Sequence, residues 1–183
     1  PLADQGKMLI ICYGAFLDEM EPFVQWKRMT GMPAEIVDVS TIGGAEQIKA
    51  YVADYYNTND LTFLLLVGDA AQVPTRTYGT VAASDNSYGY ITGSDSYPEV
   101  IVGRFSAESA AHVATQVERV INYEKTPSAG TDWYSKGIGI ASSQGPGDDN
   151  EYDYQHMRNM RTDLLGYDYT ACSELYDGSQ GGE

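Results

Sequence analysis

The first strong hydrophobic signal is the run KMLIICYGAF, from Lys7 to Phe16. Apolar residues without alternation are what a strand covered on both faces requires, so the run predicts an inner strand of a parallel sheet. Phe23, Trp26, Lys27 and Thr30 then recur at helical spacing, and Gly31 supplies a stop. AEIVDVS alternates over a short strand, and GGAEQIKAYVADYYN places Ile48, Tyr51, Val52 and Tyr55 on one helical face. DLTFLLLVGD, Asp60 to Asp69, is the most hydrophobic run of the chain. Strand, helix, strand, helix, strand predicts an α/β fold with a parallel sheet flanked by helices.

A more irregular stretch follows. Tyr88 to Ile91 and Glu99 to Phe105 read as a hairpin-like pair of strands around an acidic turn. SAESAAHVATQVERVINYEK predicts a helix with Ser106 as N-cap and Val113, Val117, Val120, Ile121 and Tyr123 mostly on one side. Pro127 and Gly130 break it. The alternation then restarts: GIGIASS as a strand, Tyr152 to Leu165 as a helix stopped at Gly166, and YTACSELYD as a strand. The second set has two strands and one helix before a glycine-rich tail, GSQGGE. The expected organisation is a complete α/β subdomain over residues 1–130 and the first part of a second over 131–183.

Charge narrows the partners. The 183 residues carry 11 Lys and Arg against 26 Asp and Glu, a net charge of −15. Nucleic acid and anionic membrane surfaces are repelled, and no window reaches the ~18 apolar residues of a membrane span. A cationic substrate, a metal ion or an acidic extracellular protein suits the balance better. Cys12 and Cys172 both fall in apolar strand-like runs, which predicts two buried free thiols rather than a disulfide.

In open α/β sheets, ligands gather beyond the carboxyl ends of the strands. Asp69 ends one strand, and SSQGPGDDNEYDYQH, Ser142 to His156, follows another. Asp69 alone also fits a phosphoacceptor of a receiver-like domain. The turn TGSDSYPE offers Asp95 and Glu99 beside exposed carbonyls, the oxygen donors that calcium takes, although it lacks the EF-hand pattern. A solvated acidic turn is the other reading. His112 lies within a helix, a structural position, and His156 follows Asp153 at a helix start, where polarity or ligation both fit. Neither cysteine has a neighbourhood that would activate a thiolate.

Taken in series, FVQWKRMTGM, NDLTFLLLVGD, SDNSYGYITGSDSYPEVIVGRFS, QVERVINYEK, GIGIASS and DNEYDYQH resemble the gingipain family of cysteine endopeptidases, whose catalytic domain has a caspase-like fold. The series spans nearly the whole chain and looks nearest to the arginine-specific branch. The resemblance implies calcium at Asp69, Glu151 and His156, and at Asp95 and Glu99 with the carbonyls of Thr92 and Tyr97. It implies that Asp153 receives a substrate arginine, where a two-oxygen acceptor meets a fork-shaped donor away from water; capping of the helix start is the alternative for Asp153. Gln144 stands where the family has a glutamate that orients the catalytic histidine. Glutamine can accept a hydrogen bond from imidazole but brings no charge to an imidazolium. Asp148 and Asp149 read as solvated loop residues.

The family's histidine and cysteine have no counterpart in this chain, so the resemblance implies a C-terminal continuation or second chain that carries them. It implies a secreted or cell-surface endopeptidase acting on proteins or peptides after basic residues, arginine favoured. A non-catalytic calcium-binding recognition module with the same fold is the alternative that Gln144 favours.

Overall fold

The computed structural model describes residues 6–78, 82–95, 97–126, 131–147 and 149–180. They form two compact units, Pro1–Lys125 and Thr126–Glu183. The helix break expected at Pro127 and Gly130 falls outside the described residues, as does Asp148.

The first unit is built on β1 (Lys7–Cys12), β2 (Ala34–Asp38), β3 (Leu61–Val67) and β6 (Ile101–Phe105). They make a parallel sheet in the order β2-β1-β3-β6. Helix α1 (Leu17–Met29) connects β1 to β2, α2 (Ala45–Asn59) connects β2 to β3, and α3 (Ala110–Lys125) follows β6. Strand alternation divides the apolar run of β1 between two cores. Leu9 and Ile11, with Leu64 and Leu66 of β3, pack on Ile48, Val52 and Tyr55 of α2. Ile10 and Cys12, with Leu65 and Val67, pack on Met20, Phe23 and Val24 of α1 and on Val113 and Val117 of α3. The unbroken hydrophobicity of β1 and β3 therefore has the cause the pattern implied: helices cover both faces.

Three local expectations give way. Residues 88–91 form no strand. Asn86–Tyr88 is a short 3-10 turn, and β6 pairs in parallel with β3 instead of closing a hairpin. The Tyr88 ring is fully buried and its hydroxyl donates to the Pro74 carbonyl at 2.6 Å. Burying a whole tyrosine outweighs continuing a short ladder. Gly89 lies against the sheet so closely that a Cβ there would stand 2.3 Å from the Val100 carbonyl oxygen. Helix α3 begins at Ala110, not after Ser106, and Ser109 Oγ accepts from the His112 N–H at 3.4 Å. Ser106 instead donates its hydroxyl to Asp69 Oδ1 at 3.3 Å. Tyr123, expected on the packed side of α3, is 59% exposed.

The second unit contains β7 (Lys136–Ala141), α4 (Asp153–Gly166) and β8 (Ala171–Tyr176). β7 and β8 pair in parallel, with Ile138 opposite Ser173 and Ile140 opposite Leu175. The α4 crossover between two parallel strands is the β–α–β unit that the restart of the pattern predicts. A short antiparallel pair, β4 (Thr77–Tyr78) and β5 (Ala82–Ala83), completes the described strands. No helix among the described residues is long and apolar enough to cross a membrane.

Candidate functional site

At the carboxyl end of β3, Gly68 and Asp69 begin the loop that leaves the sheet next to the β1/β3 switch point, where open α/β sheets bind ligands. The Asp69 N–H donates to the Ala107 carbonyl at 3.0 Å, and the carboxylate is half-buried. A residue with no obvious sequence signal holds this loop. Arg104, on β6, donates Nη1 to the carbonyls of Gly68 (2.8 Å) and Val73 (2.9 Å). Its Nε and Nη2 grip both oxygens of Asp85 at 2.7 and 2.8 Å, a planar fork on a two-oxygen acceptor. The hydrogen bond from Arg104 holds the Asp85 carboxyl below the usual carboxylate range.

The turn after Tyr90 is closed by Glu99. Its Oε2 accepts from the N–H groups of Ile91 (2.7 Å) and Thr92 (3.2 Å), and its Oε1 from the Thr92 hydroxyl (2.6 Å). These donors favour the anion, and they bring the Glu99 pKa down to about 2. Asp95 Oδ1 accepts from the Tyr97 N–H at 3.0 Å, as in an Asx turn. Lys49 of α2 steadies the approach by donating to the Tyr88 carbonyl at 3.1 Å and to that of Tyr90 at 2.5 Å. Asp95 and Glu99 share this turn with the carbonyls of Thr92 and Tyr97, oxygens of the kind calcium takes, and both Glu99 oxygens are hydrogen-bonded to the turn itself.

In the second unit, the loop from β7 to α4 folds back on itself. The Gly147 N–H donates to the Glu151 carbonyl at 3.0 Å, and the Asp153 N–H to the Gln144 carbonyl at 3.0 Å. Gly145 takes φ of 135° here, and a Cβ would come within 2.7 Å of the Tyr152 Cα, so the tight return requires glycine. Asp153 is the first residue of α4. Its Oδ2 accepts from Ser142 Oγ at 2.5 Å, and Ser142 Oγ accepts from the Gln144 N–H at 3.0 Å. A cleft of about 390 Å³ opens beside this knot, lined among others by Ile140, Ser142, Asp153 and Met157. The first-turn alternative also holds, since Asp153 is the acidic residue of the first turn of α4; its carboxylate bonds Ser142, and the Tyr152 N–H is taken by Gln155 Oε1 at 3.0 Å. The water-excluded setting expected for Asp153 is not supplied by the described residues, because the cleft is open and Asp153 is exposed. The Gln144 side chain is exposed too; its backbone does the local work.

At the far wall of the same cleft, His156 Nδ1 lies 3.0 Å from Asp149 Oδ2 and 3.2 Å from Glu151 Oε2. Asn159 Nδ2 donates to the other Glu151 oxygen at 2.7 Å. Ligand atoms of Asp149, Glu151 and His156 all fall within 4.8 Å of one another. Asp149, read from sequence as a solvated residue, is thus the neighbour of the expected ligands Glu151 and His156; Asp69 belongs to the first unit. The two carboxylates suit calcium, whereas the imidazole nitrogen does not. His112 is exposed, and Cys12 and Cys172 are buried free thiols. Burial pushes the Cys12 pKa up to about 12, with Asp38 and Glu19 adding to it, the reverse of an activated nucleophile.

Fold and cleft together define an α/β protein of the caspase-like type, with a parallel sheet, flanking helices and acidic groups beyond the strand ends. The chain belongs to peptidase family C25, whose model matches residues 2–180. It is 36% identical over 181 residues to gingipain R2 of Porphyromonas gingivalis, covering 95% of this chain and 24% of that protein. Lys-gingipain W83 of the same species is 26% identical over 187 residues, covering 91% of this chain and 11% of that protein. Among solved structures, the Arg-specific cysteine proteinase gingipain R (RgpB) superposes with a TM-score of 0.87 at 33% identity, covering 98% of this chain and 43% of the other. The complex of the P. gingivalis RgpB pro- and mature domains gives a TM-score of 0.86 at 35% identity over 95% of this chain and 43% of that one. The chain therefore spans about a quarter of the length of gingipain R2 and less than half of the solved chains.

Proposed function

We propose that this chain is the N-terminal portion of a secreted or cell-surface cysteine endopeptidase that cleaves after basic residues, with arginine favoured. Residues 1–130 would form its first subdomain and 131–183 the start of the catalytic one. The catalytic histidine and cysteine would lie in a C-terminal continuation or a second chain. The observation that carries the reading is Asp153: a carboxylate at the head of α4, in a cleft past the end of β7, with one oxygen bonded to Ser142 and the other without a protein partner among the described residues. A cationic side chain entering that cleft would meet an acceptor already oriented for it, and the higher identity to gingipain R2 than to Lys-gingipain supports arginine.

Other groups of this chain would support the site. Calcium at Thr92, Asp95, Tyr97 and Glu99 would rigidify the acidic turn. A calcium ion at Glu151 and His156 would rest on the carboxylate, with the imidazole the poor member of the set. Gln144 would orient the catalytic histidine by hydrogen bonding alone. A non-catalytic calcium-binding recognition module is the second reading, favoured by the missing charge at Gln144.

The test is the full-length protein on arginyl and lysyl reporter peptides, with calcium and then with chelator. Cleavage after arginine that is lost in Asp153→Asn, with the fold intact, is the expected result. An unchanged arginine preference in that variant would remove Asp153 from the site, and no cleavage of either peptide would favour the second reading.

A further inference from the structure

We propose that Ser142 is a positioning residue that fixes the plane of the Asp153 carboxylate and thereby favours a planar guanidinium over an ammonium; the inference rests on the reading of Asp153 given above. The geometry leaves little freedom at the hydroxyl. Ser142 Oγ accepts the Gln144 N–H at 3.0 Å and stands 2.5 Å from Asp153 Oδ2. An ionised carboxylate can only accept, so the single hydroxyl proton points at Oδ2. A second tie runs the other way, from the Asp153 N–H to the Gln144 carbonyl at 3.0 Å. The carboxylate is thus held from its backbone and from one oxygen at once. Ser142 is half-buried and directly follows the last residue of β7, and Asp153 is the first residue of α4, so the tie joins the two ends of the loop between these elements.

The consequence follows from the shapes of the two cations. A guanidinium presents two N–H groups in a rigid plane and pairs best with a carboxylate lying in that plane. Rotating the carboxylate about its Cβ–Cγ bond breaks one of the two contacts. An ammonium is a compact charge with three rotatable donors, and it tolerates that rotation. Holding Oδ2 with a hydroxyl therefore matters more for arginine than for lysine. One lone pair of Oδ2 is used by Ser142, and the remaining one with those of Oδ1 suffices for the fork.

The test is calorimetric binding of butylguanidine and butylamine to the full-length protein, in wild type, Ser142→Ala and Ser142→Thr. The expected result is a fall of about tenfold in the guanidinium-to-ammonium affinity ratio for Ser142→Ala, the lower end for losing one charge-assisted hydrogen bond. Ser142→Thr keeps the hydroxyl and should return the ratio to about the wild-type value. A ratio unchanged in Ser142→Ala, or an equal loss of both ligands, overturns the positioning role while leaving Asp153 in place. A wild-type protein without guanidinium preference, and indifferent to Asp153→Asn, overturns the reading of Asp153 and this inference with it.

Discussion

Replacing Arg104 by methionine should destabilise the first unit, and the size can be worked from its contacts. The guanidinium makes five hydrogen bonds: two to Asp85 at 2.7 and 2.8 Å, two to the carbonyls of Gly68 and Val73, and one to Thr75 Oγ1 at 3.1 Å. Its side chain is 11% exposed and that of Asp85 27%. Removing one partner of a fully buried pair costs about 3–5 kcal/mol, because the other charge is stranded. Solvent reaches Asp85, which lowers that share to about 2 kcal/mol, and two orphaned carbonyls add about 1 kcal/mol. The total is about 3 kcal/mol, or a Tm lower by about 10 °C for a unit of this size. Urea denaturation followed by circular dichroism measures it, with Asp85→Leu on top of Arg104→Met as the control. The double variant should recover part of the loss, since no charge is then left unpaired.

The pH dependence gives a second readout of the same pair. Asp85 has a depressed pKa in the folded protein, so its contribution is complete above the unfolded carboxylate pKa of about 4 and is lost as the pH falls through the folded value. Arg104→Met should flatten that acid limb. Amide exchange at Asp69 and Gln72 should quicken, because the carbonyls on either side of the loop lose their anchor. A loss under about 1 kcal/mol with an unchanged acid limb would refute the clamp.

Three further outcomes are expected. Glu99→Gln should speed amide exchange at Ile91 and Thr92 while leaving β6 protected; in the wild type, that protection should persist under acid until the pH approaches the Glu99 pKa of about 2, and its loss near pH 4 would contradict the assignment. Cys12 should resist iodoacetamide at pH 8 in the folded protein and react once urea is added, as read by mass spectrometry, because a thiol with a pKa near 12 carries almost no thiolate. Gly89→Ala should lose about 2–3 kcal/mol in urea unfolding, since its Cβ would meet the Val100 carbonyl oxygen at 2.3 Å; wild-type stability would show that the backbone yields freely there.

What could be read directly from the residues is the part governed by local periodicity and by wholesale burial. The apolar runs of β1 and β3, the buried face of α2 and the β–α–β restart at β7 follow from spacing, because each element must hide a face of its own; in α1 only Phe23 of the spaced residues is buried, beside Met20 and Val24. Asp69 was reachable for a similar reason, since strand ends are visible in the pattern and ligands collect there, whereas the role given to Asp153 came only from the resemblance to the gingipain family. The misread stretch 88–91 depended on something the pattern does not carry, a cavity between α2 and the sheet large enough for the whole Tyr88 ring. Ser106 and Ser109 look alike as helix caps, and only the path of the chain past Asp69 separates them.

A parallel, helix-flanked sheet and a strongly acidic chain follow from composition and short-range order, and the family from the resemblance of a series of motifs. Which polar groups meet depends on how the chain packs. Arg104 reaches Asp85 across 19 residues and the Gly68 carbonyl across 36, and nothing in the spacing announces either contact. Asp149 moved from a solvated loop to the side of Glu151 and His156, and Ser142 became the partner of Asp153, because a tight return at Gly145 folds the loop over the start of α4. A hydrogen bond needs its atoms within about 3 Å, and that distance is set by the packing of whole elements rather than by neighbours along the chain.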